Sequence, residues 1–183
     1  GATSIPTPNR ASDFLHDSNT TRQAFVDQMA QTLELLPDSQ RVAITATNNL
    51  FAAGWLCLQL ALRIARRHKV LILDLAGEDS PLYPLFRSRQ LPTLSSVITG
   101  DSKLDDSILK LSGDRLQYIT AGQHSIPVLE RLKKGSLDAV IGNIATHQFV
   151  LLPSISEDDL MSEVSAKCNA HAIVLIPEGT NLF

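Results

Sequence analysis

Apolar residues recur along the chain with two alternating periods, one typical of helices and one typical of buried strands. Between residues 21 and 36 they follow one another at spacings of four, four and three, which predicts an amphipathic helix that Pro37 ends. The residues with this spacing are Phe25, Met29, Leu33 and Leu36. The next run, Arg41 to Thr45 (RVAIT), is short and β-branched, and it predicts a strand.

The same alternation continues to the end of the chain. Further strands are predicted at Lys69 to Asp74, Leu116 to Ala121, Phe149 to Leu152 and Ala172 to Ile176. Further helices are predicted at Leu50 to Arg67, Leu82 to Arg87, Leu94 to Ile98, Ile126 to Lys133, Leu137 to Thr146 and Glu157 to Cys168. Strands that alternate with helices predict an α/β fold, with a doubly wound, mainly parallel sheet that has helices on both faces. This is the three-layer, Rossmann-like architecture.

One domain accounts for nearly the whole chain. Residues 1–20 are rich in Ser, Thr, Pro and Asn and lack an apolar period, so we expect a flexible lead-in there. Residues 21–183 are then a single domain. The chain stops soon after a strand of core-like composition, as a domain truncated at its C-terminus would.

The most apolar segment, Leu50 to Ala65, has to be tested as a membrane span. It has 16 residues, fewer than the roughly 20 that a helix needs to cross a bilayer, and four basic or histidine residues follow it. It also lies between two predicted strands. We therefore expect a buried helix of a cytoplasmic domain.

Composition excludes several classes of function. With 16 Lys+Arg against 19 Asp+Glu, the net charge is −3 and no basic footprint for nucleic acid is present. The two cysteines and five histidines lack metal-ligand spacing, so no metal site is expected. The serines include no Gly-x-Ser-x-Gly nucleophile motif.

The loop after the first strand is where a doubly wound sheet places its ligand site. Here that loop is TATNNLFAAG, residues 45–54. Together with the stretches KVLILDLAGEDSPLYPLF, LPTLSSVITGDSKLDDSILKL and LQYITAG, it resembles the ParA/MinD branch of P-loop ATPases. Within that branch the chain is most similar to the cytoplasmic domain of bacterial tyrosine autokinases, which partner polysaccharide export machinery. The resemblance implies a P-loop NTPase-like fold.

The resemblance also implies where the catalytic residues should lie, and the expected charges are missing there. In the phosphate loop, Leu50 and Ala52 stand at two glycine positions, Ala53 at the lysine position and Gly54 at the Ser/Thr position. In the second motif, Asp74 keeps the first aspartate, whereas Ala76 replaces the second and Glu78 replaces an arginine. In the third motif, Pro153 stands at the aspartate position.

Loss of charge in three motifs at once predicts that ATP and Mg²⁺ binding is lost. Each charge-assisted bond contributes about 1.5 to 3 kcal/mol. Losing two of them, about 5 kcal/mol, would weaken a micromolar affinity by three to four orders of magnitude. The chain is therefore expected to be neither a kinase nor an ATPase.

The remaining cleft positions have more than one interpretation. Thr47, Asn48 and Asn49 follow the first strand, and the two asparagines could bind an anion, although Asn pairs commonly form turns. Asp74 is a vestige of the nucleotide site or an ordinary turn residue. Leu50 and Phe51 either fill the cleft or form a surface for a partner.

Two functional hypotheses follow from the resemblance. In the first, the protein is an inactive autokinase-like component of exopolysaccharide or capsule biosynthesis or export, and it binds a membrane export component or an active homologue at the inner face of the membrane. In the second, it is an inactive ParA/MinD-like localisation factor for pilus or cell-division machinery, with a nucleotide-free homodimer. A third, enzymatic hypothesis finds no group of acid, base and nucleophile in the sequence to support it.

Overall fold

The structure is a computed structural model that describes most of the chain. The described residues are 3–5, 19–37, 39–47, 49–86, 91–111, 113–123, 125–135, 139, 147–155 and 157–175.

A mainly parallel sheet forms the middle layer of the described part of the chain. Its strands are β1 (Thr3–Ile5), β2 (Gln40–Ala46), β3 (Val70–Asp74), β4 (Leu109–Lys110), β5 (Leu116–Thr120), β6 (Phe149–Ser154) and β7 (Ala170–Val174). They lie in the order β1-β7-β2-β6-β3-β5-β4. Every neighbouring pair is parallel except β4 and β5, which are antiparallel. The predicted doubly wound, mainly parallel sheet is confirmed.

Helices cover both faces of this sheet. They are α1 (Asn19–Glu34), α2 (Leu50–Ile64), α3 (Tyr83–Phe86), α4 (Leu94–Ile98), α5 (Leu104–Ser107), α6 (Ser125–Lys134) and α7 (Asp159–Ser165), with a 3₁₀ turn at Gly77–Asp79. Apolar residues of α1 and α2 pack on one face of the strands. Residues of α4, α6 and α7 pack on the other face. These are the three expected layers.

The central strands are buried on both faces, as their sequences predict. All five residues of β3 are buried, and its run of Val, Leu and Ile gives each helical layer an apolar surface to cover. On α2, Cys57, Leu60 and Ile64 are fully buried against this sheet. In the described part of the chain, no helix has the length and apolarity needed to cross a membrane.

The observed elements differ from the predicted ones at the sheet edges and at several boundaries. Residues Thr3–Ile5 of the expected lead-in form β1, which pairs with residues 170–172 at the edge of β7, and α1 begins at Asn19 rather than Thr21. The two-residue strand β4 was not predicted. Strands this short have no detectable period, because only pairing with a neighbour defines them. The predicted helix at 137–146 lies outside the described residues except for position 139.

Candidate functional site

The predicted cleft lies where β2, β6 and β3 end side by side. Thr47 follows β2 and donates its N–H to the Val174 carbonyl at 3.2 Å. Asp74 is the last residue of β3. Pro153 is buried in β6 in register with Ile44. The fold therefore brings the three predicted motif segments together at the carboxyl ends of these strands, while Asn48 lies outside the described residues.

Asn49 caps the helix that follows the loop. Its side-chain oxygen accepts a hydrogen bond from the Ala52 N–H at 2.9 Å, and its carbonyl accepts one from the Ala53 N–H at 3.1 Å. Two N–H groups at the start of α2 are thus bound within the chain. In a working phosphate loop, such groups face the anion. Asn49 acts here as an ordinary N-cap.

The positions expected for the lysine and the metal-anchoring hydroxyl are closed by packing. Ala53 is 0% exposed, and Gly54 is buried beside Pro81. A Cβ atom added at Gly54 would lie 2.6 Å from Cγ and 3.1 Å from Cδ of Pro81. A serine or threonine could therefore occupy position 54 only if the Pro81 turn moved.

The turn after β3 packs against the residues that follow β5. Gly77 has φ +61°, and a Cβ atom there would clash with the Gly122 carbonyl oxygen. That same carbonyl accepts the Glu78 N–H at 3.3 Å. Ala76, which stands at the second aspartate position, is 5% exposed under this turn. The hydrogen bond from the Glu78 N–H to the Gly122 carbonyl thus joins the segments that follow β3 and β5. The resemblance places a ligand at this point.

Asp74, the one retained acidic residue of the motifs, has no access to solvent. It is 0% exposed, and the Tyr118 hydroxyl donates to its Oδ2 at 2.6 Å. Its Oδ1 is buried without a partner in hydrogen-bonding geometry among the described residues. Burial raises the pKa of Asp74 to about 6, and the nearby hydroxyls of Ser80 and Tyr118 act in the opposite direction. Burial, reinforced by the Asp74 charge, also raises the pKa of the Cys57 thiol.

Charge at the cleft has the wrong sign for a phosphate. Residues 47–54 and 74–82 contain three carboxylates and no lysine or arginine. Two of these acidic residues, Glu78 and Asp79, are exposed on the 3₁₀ turn. Within the described ranges, no group of three His, Cys, Asp or Glu side chains could hold a metal ion. All the charged side chains of these two segments are therefore acidic.

The two apolar residues that begin α2 lie at the rim of the cleft. Leu50 is half-buried, while the Phe51 ring is 46% exposed. Phe51 therefore lies partly at the surface, and both interpretations of Leu50 and Phe51, as residues that fill the cleft or as a partner surface, stay open.

Three residues that shape the site were not identified from the sequence: Tyr118, Pro81 and Gly122. Each acts through a contact with a residue distant in the chain. Tyr118, for example, is 44 positions from Asp74. Tyr118 lies on β5, which also contains Gln117 and Thr120, so no signal in the sequence singles it out.

Comparison with known proteins identifies the fold. No protein-family model matches the sequence, and no curated protein matches it. Among solved structures, the kinase domain of the Escherichia coli tyrosine kinase ETK is similar with a TM-score of 0.70 and 16% identity, over 97% of this chain and 72% of that one. The BceF tyrosine kinase domain is similar with a TM-score of 0.60 and 17% identity, over 87% of this chain and 66% of that one.

The chain is also similar to a ParA/MinD-like structure. The ATP complex of Cyanothece McdA has a TM-score of 0.57 and 14% identity, over 75% of this chain and 56% of that one. The chain thus spans about two thirds of the BceF domain and less of McdA. It has the ParA/MinD-type P-loop fold that these kinase domains share.

Proposed function

We propose that the protein is a catalytically inactive relative of the bacterial tyrosine autokinases that works by binding a protein partner in exopolysaccharide or capsule biosynthesis or export. The observation that carries this proposal is the packing at the lysine and hydroxyl positions, where Ala53 is fully buried and Gly54 lies against Pro81. Phosphoryl transfer depends on the placement of metal and charge. A site that lacks both has no means to perform it.

The electrostatics support the same proposal. ATP would have to enter beside the exposed carboxylates of Glu78 and Asp79 and above the buried Asp74, without a lysine or arginine from either cleft segment. Like charges at short range raise the free energy of binding, and a Cβ atom at position 54 would lie 2.6 Å from Pro81, so a metal-anchoring hydroxyl does not fit there. We infer that neither ATP nor Mg²⁺ is a cofactor.

The partner we propose is the cytosolic face of a membrane export component or an active homologue of this chain. The kinase domains of ETK and BceF have the same fold. A chain that keeps this fold without its charges can still occupy the place of such a domain in an assembly. Since McdA is also similar, a localisation factor for pilus or division machinery is the second candidate.

Two experiments test the proposal. Titration calorimetry with millimolar Mg-ATP and Mg-ADP should give no saturable heat, with the ETK kinase domain as the positive control. A dissociation constant near 10 μM, about −6.8 kcal/mol, would contradict the loss of nucleotide binding. In cells, deletion of the gene should lower surface polysaccharide, and the wild-type gene should restore it. Normal polysaccharide together with defective pili or division would favour the localisation factor.

A further inference from the structure

Exposed basic side chains gather at the end of the sheet where the parallel strands begin. They are Arg66 and Arg67 after α2, Lys110 at the end of β4 and Arg115 before β5, and we call them the basic end of the domain. The N–H of Val70, which begins β3, donates to the Arg115 carbonyl at 2.7 Å. The Arg115 guanidinium in turn donates to the Arg66 carbonyl at 2.5 Å. These bonds hold residues from separate segments beside one another.

Carboxylates neutralise only part of the basic end. Lys110 pairs with Asp114 at 3.8 Å, but both side chains are largely exposed, so this pair contributes little. Among the described residues, no carboxylate forms an ion pair with Arg66 or Arg115. Guanidinium groups bind phosphate oxygens in a bidentate manner. Two neighbouring guanidinium groups are thus available to an anion from outside the chain.

Helix dipoles account for only part of this cluster. A basic residue near the end of a helix interacts favourably with the dipole, which is enough to explain Arg66 and Arg67. Arg115 precedes a strand and Lys110 ends one, so neither gains from a helix end. These two cations extend the positive surface beyond what the end of α2 requires.

An apolar side chain projects beside the basic end. Leu35 follows α1 and is 87% exposed, the largest exposure of any large apolar residue in the described part of the chain. It directly follows Glu34, whose carboxylate pairs with Arg67 at 3.3 Å. The next residue, Leu36, packs against the core, so the backbone at Leu35 is held in place. Peripheral proteins combine such a projecting apolar group with exposed cations to bind an anionic bilayer.

We propose that the basic end and Leu35 form a surface that binds an anionic lipid bilayer directly. The arginines contact lipid phosphates, and Leu35 enters between the headgroups. The exposed Glu78, Asp79 and Asp159 follow the other ends of the strands, so they face away from the lipid. A chain with a net charge of −3 needs this separation of charge to be attracted to an anionic surface. Nucleic acid carries similar phosphates but offers no apolar medium for Leu35.

Lipid binding at the basic end is independent of the proposed function, because the nucleotide cleft lies at the opposite ends of the strands. The purified chain should cosediment with phosphatidylglycerol vesicles, bind phosphatidylcholine vesicles weakly and be released at high salt. Arg66→Gln and Arg115→Gln should each lower the vesicle partition coefficient about 5-fold, because each lost cation weakens the attraction by about this factor. Lys103→Gln removes an exposed cation before α5, outside the basic end, and should bind nearly as wild type does.

Leu35 has its own test. The native Cys57 and Cys168 are buried, so a thiol-reactive, environment-sensitive fluorophore can be attached to Leu35→Cys. Its emission should shift to shorter wavelength on phosphatidylglycerol vesicles. Ile126→Cys is the matched control, since Ile126 is 63% exposed on the first turn of α6, near the ends of the strands that face away from the lipid. The emission of its label should stay unchanged.

Three results would overturn the proposal: no binding to phosphatidylglycerol vesicles, equal binding to both kinds of vesicle, or unchanged binding when Arg66→Gln and Arg115→Gln are combined. Charge-dependent binding without a shift of the label at position 35 would overturn the insertion of Leu35. Binding to duplex DNA without binding to vesicles would assign the basic end to nucleic acid instead.

Discussion

At the scale of single residues, the buried carboxylate of Asp74 carries an electrostatic cost. Its side chain is fully buried, and its folded pKa of about 6 lies above the ordinary 3.8. The folded state therefore holds the proton more tightly than the unfolded state, and the free energy of unfolding falls as pH rises from 3.8 to 6. Fully ionised, the carboxylate costs at most about 3 kcal/mol.

Asp74→Asn should therefore raise the Tm of the protein at pH 8 and leave the Tm nearly unchanged at pH 4. The amide oxygen can still accept the Tyr118 hydroxyl, which donates to Asp74 at 2.6 Å. Thermal melting of both proteins across this pH range measures the effect as a difference in Tm. Asp79→Asn, at an exposed carboxylate, is the matched control and should leave the difference near zero. Equal stability of Asp74→Asn and wild type at pH 8 would contradict the buried charge.

Gly54 offers a second test at the residue scale, because it decides whether the nucleotide site can be restored. Gly54→Ser forces its Cβ to within 2.6 Å of Pro81, and overpacking of this kind costs about 1–3 kcal/mol. Denaturant unfolding should show this loss, and adding Pro81→Ala should recover most of it. Ala53→Lys with Gly54→Ser should still bind no Mg-ATP in calorimetry. Binding of Mg-ATP by this double variant would mean that Ala53 and Gly54 alone prevent nucleotide binding in the wild type.

At the scale of elements, the sequence predicted the sheet interior well and the sheet edges poorly. The predicted strands β2, β3, β5, β6 and β7 appear with ends shifted by two residues or fewer, because each is a local apolar run. The edge strands β1 and β4 depend on a neighbouring strand. The same holds for the site. The uncharged residues at positions 53, 54, 76 and 153 could be read from the sequence, whereas the Gly54–Pro81 packing and the Tyr118–Asp74 bond required the tertiary structure.

Helix α2 allows a matched test of its buried and exposed faces. Leu60 is 0% exposed, and Leu62, two residues further on, is 41% exposed. Leu60→Asp places an unpaired charge in the core and should lower the free energy of unfolding by more than about 4 kcal/mol, enough to unfold the domain. Leu62→Asp should remain folded with a Tm near wild type. Circular dichroism melts compare the two, and a cooperative melt for Leu60→Asp would contradict the burial of this face.

At the scale of the whole molecule, polar contacts tie the helices of each layer to one another across the chain. On one face, α2 is joined to α1 by Arg63 with Asp27 and by Arg67 with Glu34. On the other face, Lys167 follows α7 and donates to carbonyl groups at the end of α6. Because both layers rest on one sheet, weakening either layer should lower the stability of the entire domain.

Lys167→Met tests this coupling between the layers. The ammonium group donates to the carbonyls of Leu132 at 2.6 Å, Lys133 at 2.8 Å and Gly135, which would otherwise end α6 unpaired. Its loss should cost about 1–2 kcal/mol, since part of each bond is already exposed to water. Urea unfolding followed by Trp55 fluorescence reports from α2, on the opposite face of the sheet. If the domain is one cooperative unit, the midpoint falls with an unchanged m-value. Lys134→Met, at an exposed position on α6, is the control and should leave the midpoint unchanged. If Lys167→Met does not move the Trp55 transition, the two layers unfold separately.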